Sequence, residues 1–248
     1  MPESITKAKR VALVTGASGG IGAAIAERFA RDGMAVVAHH SGRTARTPDV
    51  IATMSRAGAP VIAATGDIAN EEEMAVVFDT AVREFDGIDV VVNTAGIMPL
   101  APIAQMGLDV FDRIQRVNVR GTFVVDQLAA RSVRAGGAIV NFSTSITRLQ
   151  SPAYGAYAAS KGAIEAMTLI LARELEGRDI TVNTIAPGPT ATPLFLEGKS
   201  PQLIERISAA NPMRRLGTPA DVAEVAAFLA GPARWINGQT IFVNGGAA

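Results

Sequence analysis

TGASGGIG, from Thr15 to Gly22, is the stretch that decides the fold of this 248-residue chain. It follows a short apolar run, Val11–Val14, and opens a run with helical spacing, Ile21–Arg31. Glycine permits a tight turn and a close approach of backbone N–H groups to an anion, and a helix start favours negative charge. The stretch predicts a strand–turn–helix unit whose turn holds a pyrophosphate, with an ordinary glycine turn as the alternative.

Outside this turn, short β-branched runs alternate with longer alanine-rich helical patterns. The predicted strands are Val11–Val14, Ala35–Ala38, Val61–Ala64, Val90–Asn93, Ala138–Phe142, Ile180–Ile185 and Thr240–Val243. The predicted helices are Ile21–Arg31, Glu71–Phe85, roughly Leu108–Arg134, Tyr157–Glu176 and Ala220–Leu229, with Asn70 and Glu73 as a capping pair for the second. Several strands are apolar on both faces, which is typical of parallel strands covered by helices. The alternation predicts an α/β fold, a Rossmann-type doubly wound parallel sheet of about seven strands.

The chain has no linker, repeat or low-complexity tract, so residues 1–248 are predicted to form a single dinucleotide-binding and catalytic domain. The rhythm breaks only in the proline-rich stretch from Pro187 to about Gly217. Its position before the last strand predicts a small helical lid at about 189–216.

Composition narrows the class of protein. Lys plus Arg and Asp plus Glu are balanced at 23 each, which gives no field to recruit nucleic acid or an anionic membrane. The absence of cysteine excludes disulfides, thiolate metal sites and a cysteine nucleophile. No apolar run approaches the ~20 residues of a membrane span, and the polar start lacks the apolar centre of a signal peptide. We expect a cytoplasmic protein with no nucleic-acid or membrane partner.

A second decisive pattern is the pair Tyr157 and Lys161, which are four residues apart and therefore on one helix face. A free phenol has a pKa of about 10, and a nearby ammonium lowers it, so the tyrosine can act as an acid in reduction or a base in oxidation. The stretch Asn141–Ser145 ends a predicted strand with hydroxyl groups that can orient a substrate oxygen. Together with the glycine turn, the pattern predicts hydride transfer between a nicotinamide dinucleotide and a carbonyl or alcohol.

The end of the second strand bears on the choice of cofactor. It reads HHSGR, His39 to Arg43, followed by Arg46, and the first acid is Asp49. A carboxylate that would accept a hydrogen bond from the ribose 2′-hydroxyl is missing here, and cations are near, which favours binding of a 2′-phosphate. The alternative is that the arginines are only solvated loop charges. NADP(H) is therefore the preferred cofactor and NAD(H) the alternative. Two adjacent histidines without cysteine do not predict a metal site.

In order and spacing, these motifs make the chain resemble the short-chain dehydrogenase/reductase family in its single-domain form. It is most similar to the NADPH-dependent reductases of bacteria that resemble 3-oxoacyl-carrier-protein reductase or tetrahydroxynaphthalene reductase. The matching segments are Thr15–Gly22, Asp67-Ile68, Asn93–Gly96, Asn118, the hydroxyl cluster, Tyr157–Lys161, Pro187-Gly188 and Trp235–Gln239.

The resemblance implies roles for individual residues. Tyr157 is the general acid/base, Lys161 is its helper and ribose ligand, and Asn118 supports a proton-relay water through its helix. The implied cofactor-binding residues are Gly16, Ser18, Gly19, Gly20, Ile21, Gly22, His40, Ser41, Arg43, Asp67, Ile68, Asn93, Ala95, Gly96, Tyr157, Lys161, Pro187, Gly188, Thr190 and Thr192. Without the resemblance, Asp67 reads as a turn former, and Asn93 and Asn118 as satisfied interior amides.

Two positions depart from the family pattern. The hydroxyl thirteen residues before the tyrosine, where the family usually has serine, belongs to Thr144, with Ser145 as the alternative. Gly19 stands where many NADP-preferring relatives carry a basic residue. This moves recognition of the 2′-phosphate to Ser18, His40, Ser41 and Arg43.

The predicted partner is a small carbonyl or alcohol. The expected walls of its pocket are mostly apolar, which favours a hydrophobic ketone or aldehyde: Ile97, Met98, Leu100, Gln150, Tyr154, Leu194, Phe195 and Leu196. A 3-oxoacyl thioester is a further candidate. The family implies a homotetramer or homodimer, built on Gly162–Glu176 and Asn237–Ala248. The leading function is NADPH-dependent carbonyl reduction; the alternatives are NAD-linked alcohol oxidation and a non-catalytic dinucleotide sensor.

Overall fold

A single sheet of seven parallel strands organises the computed structural model, which describes residues 10–42, 51–53, 55 and 58–248. The strands are β1 (Val11–Thr15), β2 (Ala35–His40), β3 (Val61–Thr65), β4 (Ile88–Asn93), β5 (Val133–Phe142), β6 (Thr181–Pro187) and β7 (Thr240–Val243). Their order across the sheet is β3-β2-β1-β4-β5-β6-β7. The predicted α/β fold and its seven strands are confirmed.

The strand order places a crevice at the carboxyl ends of β1 and β4. The chain runs from β1 outward to β2 and β3, then returns across β1 to β4 on its other side. Because the two connections leave in opposite directions, the carboxyl ends of these strands open into a cleft, where α/β sheets bind ligands. Every segment predicted to bind a cofactor ends a strand on this side or follows such an end.

Helices cover both faces of the sheet. In the described part of the chain they are α1 (Gly20–Arg31), α2 (Glu71–Phe85), α3 (Leu108–Ile114), α4 (Gly121–Ser132), α5 (Ile146–Leu149), α6 (Gly155–Glu174), α7 (Pro193–Leu196), α8 (Pro201–Ala210) and α9 (Pro219–Ala230). A 3₁₀ turn occupies Ile103–Gln105, and a π-helical segment, Gln115–Arg120, joins α3 to α4. None of the helices in the described ranges is long and apolar enough to cross a lipid bilayer.

The core lies in two layers, because successive strand residues point to opposite faces of the sheet. Val14 of β1 belongs to the layer that α1 and α9 cover with Phe29 and Leu229. Its neighbour Leu13 belongs to the other layer, with Met74 of α2 and Val125 of α4. Full burial of such side chains stabilises the fold by roughly 1.5–3 kcal/mol each. This explains why the strands read as apolar on both faces.

The predicted helix Leu108–Arg134 is wrong in its continuity and in its end. The structure divides it into α3, the π-helical segment and α4, and it stops at Ser132. Val133 is extended and pairs with Ile88, so β5 begins there rather than at Ala138. Arg134 Nε donates to Asp89 Oδ1 over 3.0 Å, which fastens the new strand start to β4. Pairing across the sheet overrides the local helical preference.

The predicted cap of α2 forms, with one change. Asn70 Oδ1 accepts from the backbone N–H groups of Glu72 and Glu73 at 3.0 and 3.3 Å. Glu73 returns its carboxylate to the Asn70 side-chain amide, Nδ2 to Oε1 2.8 Å, rather than to the Asn70 backbone. Its other oxygen accepts from the backbone N–H of Asp67 at 2.7 Å. The cap of α2 therefore also fixes the turn that carries Asp67.

The proline-rich insertion between β6 and α9 carries α7 and α8. Its two ends are fastened together, since Ala191 N donates to Gly217 O over 2.8 Å and Gly217 N to Pro189 O over 2.9 Å. The insertion is therefore a loop whose first and last residues lie side by side at the carboxyl end of β6, before α9 begins.

Candidate active site

The glycine turn between β1 and α1 is shaped by positions where a side chain does not fit. Gly16 and Gly20 have φ angles of +68° and +56°, in the left-handed region that favours glycine. A Cβ on Gly22 would collide with the Gly16 carbonyl oxygen and lie 2.5 Å from Thr94 Oγ1. No described side chain caps the amino end of α1, which leaves its first N–H groups open to an anion. The other predicted residues of this turn are Ser18, Gly19 and Ile21.

The segment after β4 is tied to the glycine turn through Thr15. Thr15 Oγ1 donates to Asn93 Oδ1 over 2.7 Å, and Thr94 Oγ1 donates to Thr15 O over 2.5 Å. Asn93 Nδ2 donates to Thr122 Oγ1 over 3.0 Å, so the buried Asn93 amide is satisfied within the protein. Ala95 N donates to Thr15 Oγ1 over 3.3 Å. Asn93 thus orients Thr15, which accepts from the backbone N–H of the predicted cofactor residue Ala95.

The two histidines at the end of β2 have different surroundings. His39 is buried with Nε2 2.9 Å from Gly66 O, and burial lowers its pKa to about 4, so the ring is neutral near pH 7. His40 Nδ1 accepts from Gly42 N over 3.0 Å, and Nε2 lies 3.3 Å from Thr65 Oγ1. Among the described residues, no group of three or more His, Cys, Asp or Glu could hold a metal ion. Ser41 is exposed beside His40, and Arg43 lies outside the described residues.

Asp67 and Ile68 follow β3 at the same edge of the sheet. Asp67 Oδ1 accepts from Ala69 N over 3.0 Å, which makes it the local turn former of the alternative interpretation. Its other oxygen pairs with Arg116 Nη2 at 2.8 Å. Ile68 is buried, and its Cγ2 would lie 2.8 Å from a Cβ on Gly121, so α4 packs closely beneath it. The charge of Asp67 is therefore partly engaged by the protein.

The hydroxyl cluster after β5 separates into three roles. The Thr144 side chain interacts with the Tyr157 phenol and lowers its pKa, and Thr144 Oγ1 also accepts from Ile146 N over 3.3 Å. Ser145 Oγ instead donates to the buried Ala186 O over 3.2 Å. Ser143 Oγ donates to Glu165 Oε1 over 2.5 Å, away from the phenol. Of the two predicted alternatives, Thr144 is the hydroxyl that the fold turns toward Tyr157.

Tyr157 and Lys161 lie in the first turns of α6, where both side chains are buried. Burial raises the pKa of Tyr157 to about 12, and the Thr144 hydrogen bond opposes this in part. Burial lowers the pKa of Lys161 to about 8. Lys161 Nζ donates to Phe142 O over 2.8 Å and lies 5.9 Å from the Tyr157 ring centroid. The predicted lowering of the Tyr157 pKa is wrong. Burial removes water from the phenol and raises its pKa, while the Lys161 ammonium is directed at the Phe142 carbonyl.

Asn118 sits in the π-helical segment and is fully buried. Its Oδ1 accepts from Ile97 N and its Nδ2 donates to Ile97 O, both at 2.9 Å. Nδ2 also lies 3.0 Å from Ser160 Oγ, which donates to Tyr157 O over 2.7 Å. Asn118 therefore joins the loop after β4 to the helix that carries Tyr157 and Lys161. A Cβ on Gly96 would lie 3.2 Å from Asn118 Oδ1 and 3.4 Å from Lys161 Nζ, so these three predicted residues are neighbours.

The segment after β6 reaches back to the glycine turn. Gly188 follows Pro187 and packs so closely on Asn244 that a Cβ would lie 2.8 Å from it. Thr190 Oγ1 donates to Gly188 O over 2.9 Å. Thr192 caps α7 through Phe195 N at 3.2 Å, and its Cγ2 would lie 3.4 Å from a Cβ on Gly20. The insertion thus begins directly against the predicted pyrophosphate turn.

The predicted walls of the substrate pocket come from two loops and the insertion. Ala101 N donates to Ala153 O over 3.2 Å, which ties the loop of Ile97, Met98 and Leu100 to the loop of Gln150 and Tyr154. The Tyr154 and Tyr157 rings meet edge to face at 6.5 Å between centroids. Leu194, Phe195 and Leu196 form most of α7, on the insertion.

Sequence reasoning missed two acidic residues behind this site. Glu165 accepts hydrogen bonds from the hydroxyl cluster, and its place four residues after Lys161, on the same helix face, was the available signal. Asp126 is buried, with Oδ2 accepting from Asn141 Nδ2 over 3.0 Å, and burial raises its pKa to about 7. A lone acid among the apolar residues of α4 was its signal.

Known proteins match the chain over most of its length. The family model described as Enoyl-(Acyl carrier protein) reductase matches residues 16–248. A "Short-chain type dehydrogenase/reductase" of Picea abies is 42% identical over 96% of this chain and 92% of its own length. The "NADPH-dependent aldehyde reductase 2, chloroplastic" of Arabidopsis thaliana is 41% identical, covering 96% of this chain and 94% of that relative.

A solved structure matches the fold equally well. The short-chain dehydrogenase of Burkholderia cenocepacia J2315, crystallised in complex with NADP, superposes with a TM-score of 0.89 and 37% identity. The superposition covers 96% of this chain and 97% of that protein.

Proposed function

The chain belongs to the short-chain dehydrogenase/reductase family, and we propose that it reduces an aldehyde or ketone to the alcohol with NADPH. As a member of the family it is an NAD(P)-dependent oxidoreductase. The observation that carries the proposal is the buried Tyr157 phenol, which lies near Lys161 and interacts with the Thr144 side chain at the carboxyl end of β5.

Thr144 and Tyr157 are the two groups we assign to the substrate oxygen. Their side chains interact with each other, so one carbonyl oxygen placed between them can accept from both hydroxyls. Burial raises the pKa of Tyr157 to about 12, so the phenol is protonated near neutral pH and has a proton to give. The proton moves from Tyr157 Oη to the substrate oxygen as negative charge develops there. We assign Lys161, whose Nζ donates to Phe142 O and lies 5.9 Å from the Tyr157 ring centroid, to the ribose of the bound cofactor beside the phenol.

NADP(H) is the cofactor, and the nicotinamide supplies the hydride when it is bound. Support comes from the open glycine turn and the uncapped start of α1, which suit a pyrophosphate. Relatives give further support for NADP(H). The Arabidopsis reductase is named as NADPH-dependent, and the Burkholderia enzyme was crystallised with NADP. We assign Gly16, Gly19, Gly20, Ile21 and Gly22 of the turn to the pyrophosphate, and Ser18, His40 and Ser41 to the 2′-phosphate end. Asp67, Ile68, Asn93, Ala95 and Gly96 are assigned to the adenine side, and Pro187, Gly188, Thr190 and Thr192 to the nicotinamide.

We assign the remaining features by the same reasoning. Residues 1–248 act as one cofactor-binding and catalytic domain, and the insertion at about 189–216 serves as its lid. The preferred substrate is apolar, because the Tyr154 ring meets Tyr157 edge to face at 6.5 Å and the insertion carries Leu194 and Phe195 on α7. The aldehyde reductase relative favours the same substrate class.

The test is Tyr157→Phe, with Tyr154→Phe as its matched control. Tyr157→Phe keeps the aromatic ring and removes the hydroxyl that donates the proton. Turnover of a panel of carbonyl compounds with NADPH should therefore fall by roughly 10²- to 10⁴-fold. Binding of NADPH, measured by fluorescence titration, should stay within about twofold of the parent protein. Tyr154→Phe should retain turnover. A Tyr157→Phe variant that reduces carbonyls at the parental rate would refute the assignment, and a parent that reduces none would favour a sensor.

A further inference from the structure

Glu165 lies behind the proposed reaction centre, and we infer that it is a positioning residue for the reduction. Its carboxylate holds the turn that presents Thr144 to Tyr157. This inference rests on the proposed function, since it concerns how the two proposed oxygen-binding hydroxyls are kept together.

One carboxylate oxygen makes the key contacts. Glu165 Oε1 lies 2.5 Å from Ser143 Oγ and 3.0 Å from Thr147 Oγ1. Both partners are hydroxyl donors, and they stand on either side of Thr144 in the chain. Thr147 Oγ1 also lies 2.9 Å from Thr144 O, so its proton is shared between the turn and the carboxylate. A single acceptor therefore fixes both flanks of Thr144.

Helix α6 places Glu165 on the same face as Tyr157 and Lys161. Tyr157, Lys161 and Glu165 are four residues apart in α6, which stacks them along one face. In the described residues no lysine or arginine forms an ion pair with Glu165, so its hydrogen bonds go to the hydroxyl turn. Tyr157 and the turn holding Thr144 are thereby fastened to the same helix.

The backbone of the turn has other supports that the carboxylate complements. Ser143 N donates to Ile185 O over 2.8 Å and Ser145 N to Pro187 O over 2.9 Å. These bonds fix the turn to β6 along one edge. On the edge that faces α6, Lys161 Nζ donates to Phe142 O over 2.8 Å and Ser143 Oγ lies 3.4 Å from Lys161 O, and Glu165 adds the contacts to Ser143 and Thr147. Loss of that contact should let the turn rotate without unfolding it. A displacement of about 1 Å in a reacting group can cost on the order of 100-fold in rate.

The first experiment compares Glu165→Ala, Glu165→Gln and the control Glu174→Ala, an exposed acid of the same helix. Glu165→Ala should lower kcat by roughly 10- to 100-fold because Thr144 is misplaced. NADPH binding should stay within about twofold of the parent, since Glu165 does not touch the glycine turn. Glu165→Gln should keep kcat within about threefold, because its amide oxygen accepts the same two hydroxyls. Glu174→Ala should match the parent.

A second readout does not depend on turnover. The chain has two tyrosines, so labelling with 3-fluorotyrosine gives two ¹⁹F NMR signals, which Tyr154→Phe assigns. The Tyr157 signal should shift in Glu165→Ala, because Thr144 is displaced from the phenol, and not in Glu165→Gln or Glu174→Ala. If Glu165→Ala does not fold, Ser143→Ala combined with Thr147→Val removes the same two bonds and should shift the same signal.

The outcomes separate this inference from the proposed function. An unshifted Tyr157 signal and unchanged kcat in Glu165→Ala would overturn the inference while Tyr157→Phe remained inactive. A Glu165→Gln variant as impaired as Glu165→Ala would also overturn it, because acceptance of the two hydroxyls would then not be what matters. If the parent protein reduces no carbonyl, the proposed function fails, and the fluorine signal decides whether Glu165 holds Thr144 at Tyr157.

Discussion

Two glycines of the turn after β1 differ in the space around them. A Cβ on Gly22 would meet the Gly16 carbonyl oxygen and Thr94 Oγ1, whereas one on Gly19 has no described atom within 4 Å. Gly19 is extended, with φ 173°, so alanine fits its backbone. Gly22→Ala should therefore destabilise the protein by about 1–3 kcal/mol through overpacking and weaken NADPH binding. Gly19→Ala should leave both unchanged. Thermal unfolding and NADPH titration measure these effects, and equal behaviour of the two variants would contradict the geometry.

Asp126 gives a prediction about pH. Its Oδ1 and the Oδ1 of Asn141 are both buried without a partner in the described structure, and burial favours the neutral, protonated acid. The folded-state pKa of about 7 lies above the ordinary 3.8, so the folded protein keeps this proton better than the unfolded chain does. Its contribution to the free energy of unfolding is complete below about pH 4 and is lost as the pH rises toward 7, by at most about 4 kcal/mol.

Asp126→Asn tests that sign. An amide mimics the neutral acid and does not ionise, so the variant should gain stability relative to the parent between pH 5 and pH 8. Urea unfolding at the two pH values gives the difference, in which the other titrating groups cancel. A difference between variant and parent that does not change with pH would show that Asp126 does not titrate in this range.

The cap of α2 stabilises that helix and also holds Asp67, which is assigned to the adenine side of the cofactor site. Asn70 accepts from two N–H groups at the helix start, and Glu73 links the cap to Asp67. Asn70→Ala should lower the free energy of unfolding by about 1 kcal/mol, whereas Asn70→Ser, which can still cap, should cost less. Urea unfolding of both variants provides the measurement. Equal losses for alanine and serine would mean that the cap hydrogen bonds contribute little.

The π-helical segment is an element that periodicity does not reveal. It interrupts the helical pattern over Gln115–Arg120 and sets Asn118 against Ile97 and Ser160. A π-helical segment is a single turn within a longer run of helix, so the sequence on both sides of it still predicts helix. The difference is visible only through the contacts of Asn118.

Exposed apolar side chains on the neighbouring helices α4 and α6 support the expected homotetramer or homodimer. Ile170 of α6 and Phe123 of α4 are each 56% exposed, and Leu169 is 41% exposed. Clusters of this kind mark protein interfaces. We expect a homotetramer or homodimer by light scattering, and Ile170→Arg should reduce the particle mass by burying a charge in the contact. Val76→Arg, on the exposed side of α2, is the control. A parent that is monomeric at micromolar concentration would refute the oligomer.

The strands, most helices, the glycine turn and the spacing of Tyr157 and Lys161 could be read from the chain alone. Each depends on residues close in sequence: alternation for a buried strand, four-residue spacing for a helix face, and glycine where a side chain would collide. The start of β5 at Val133, the turning of Thr144 toward Tyr157 and the hold of Glu165 on its flanks could not be read in this way. They depend on Ile88, Ala186 and the packing of α6 against β5 and β6, which are far away along the chain. The pKa of Tyr157 belongs with these, because desolvation depends on every segment that surrounds the phenol.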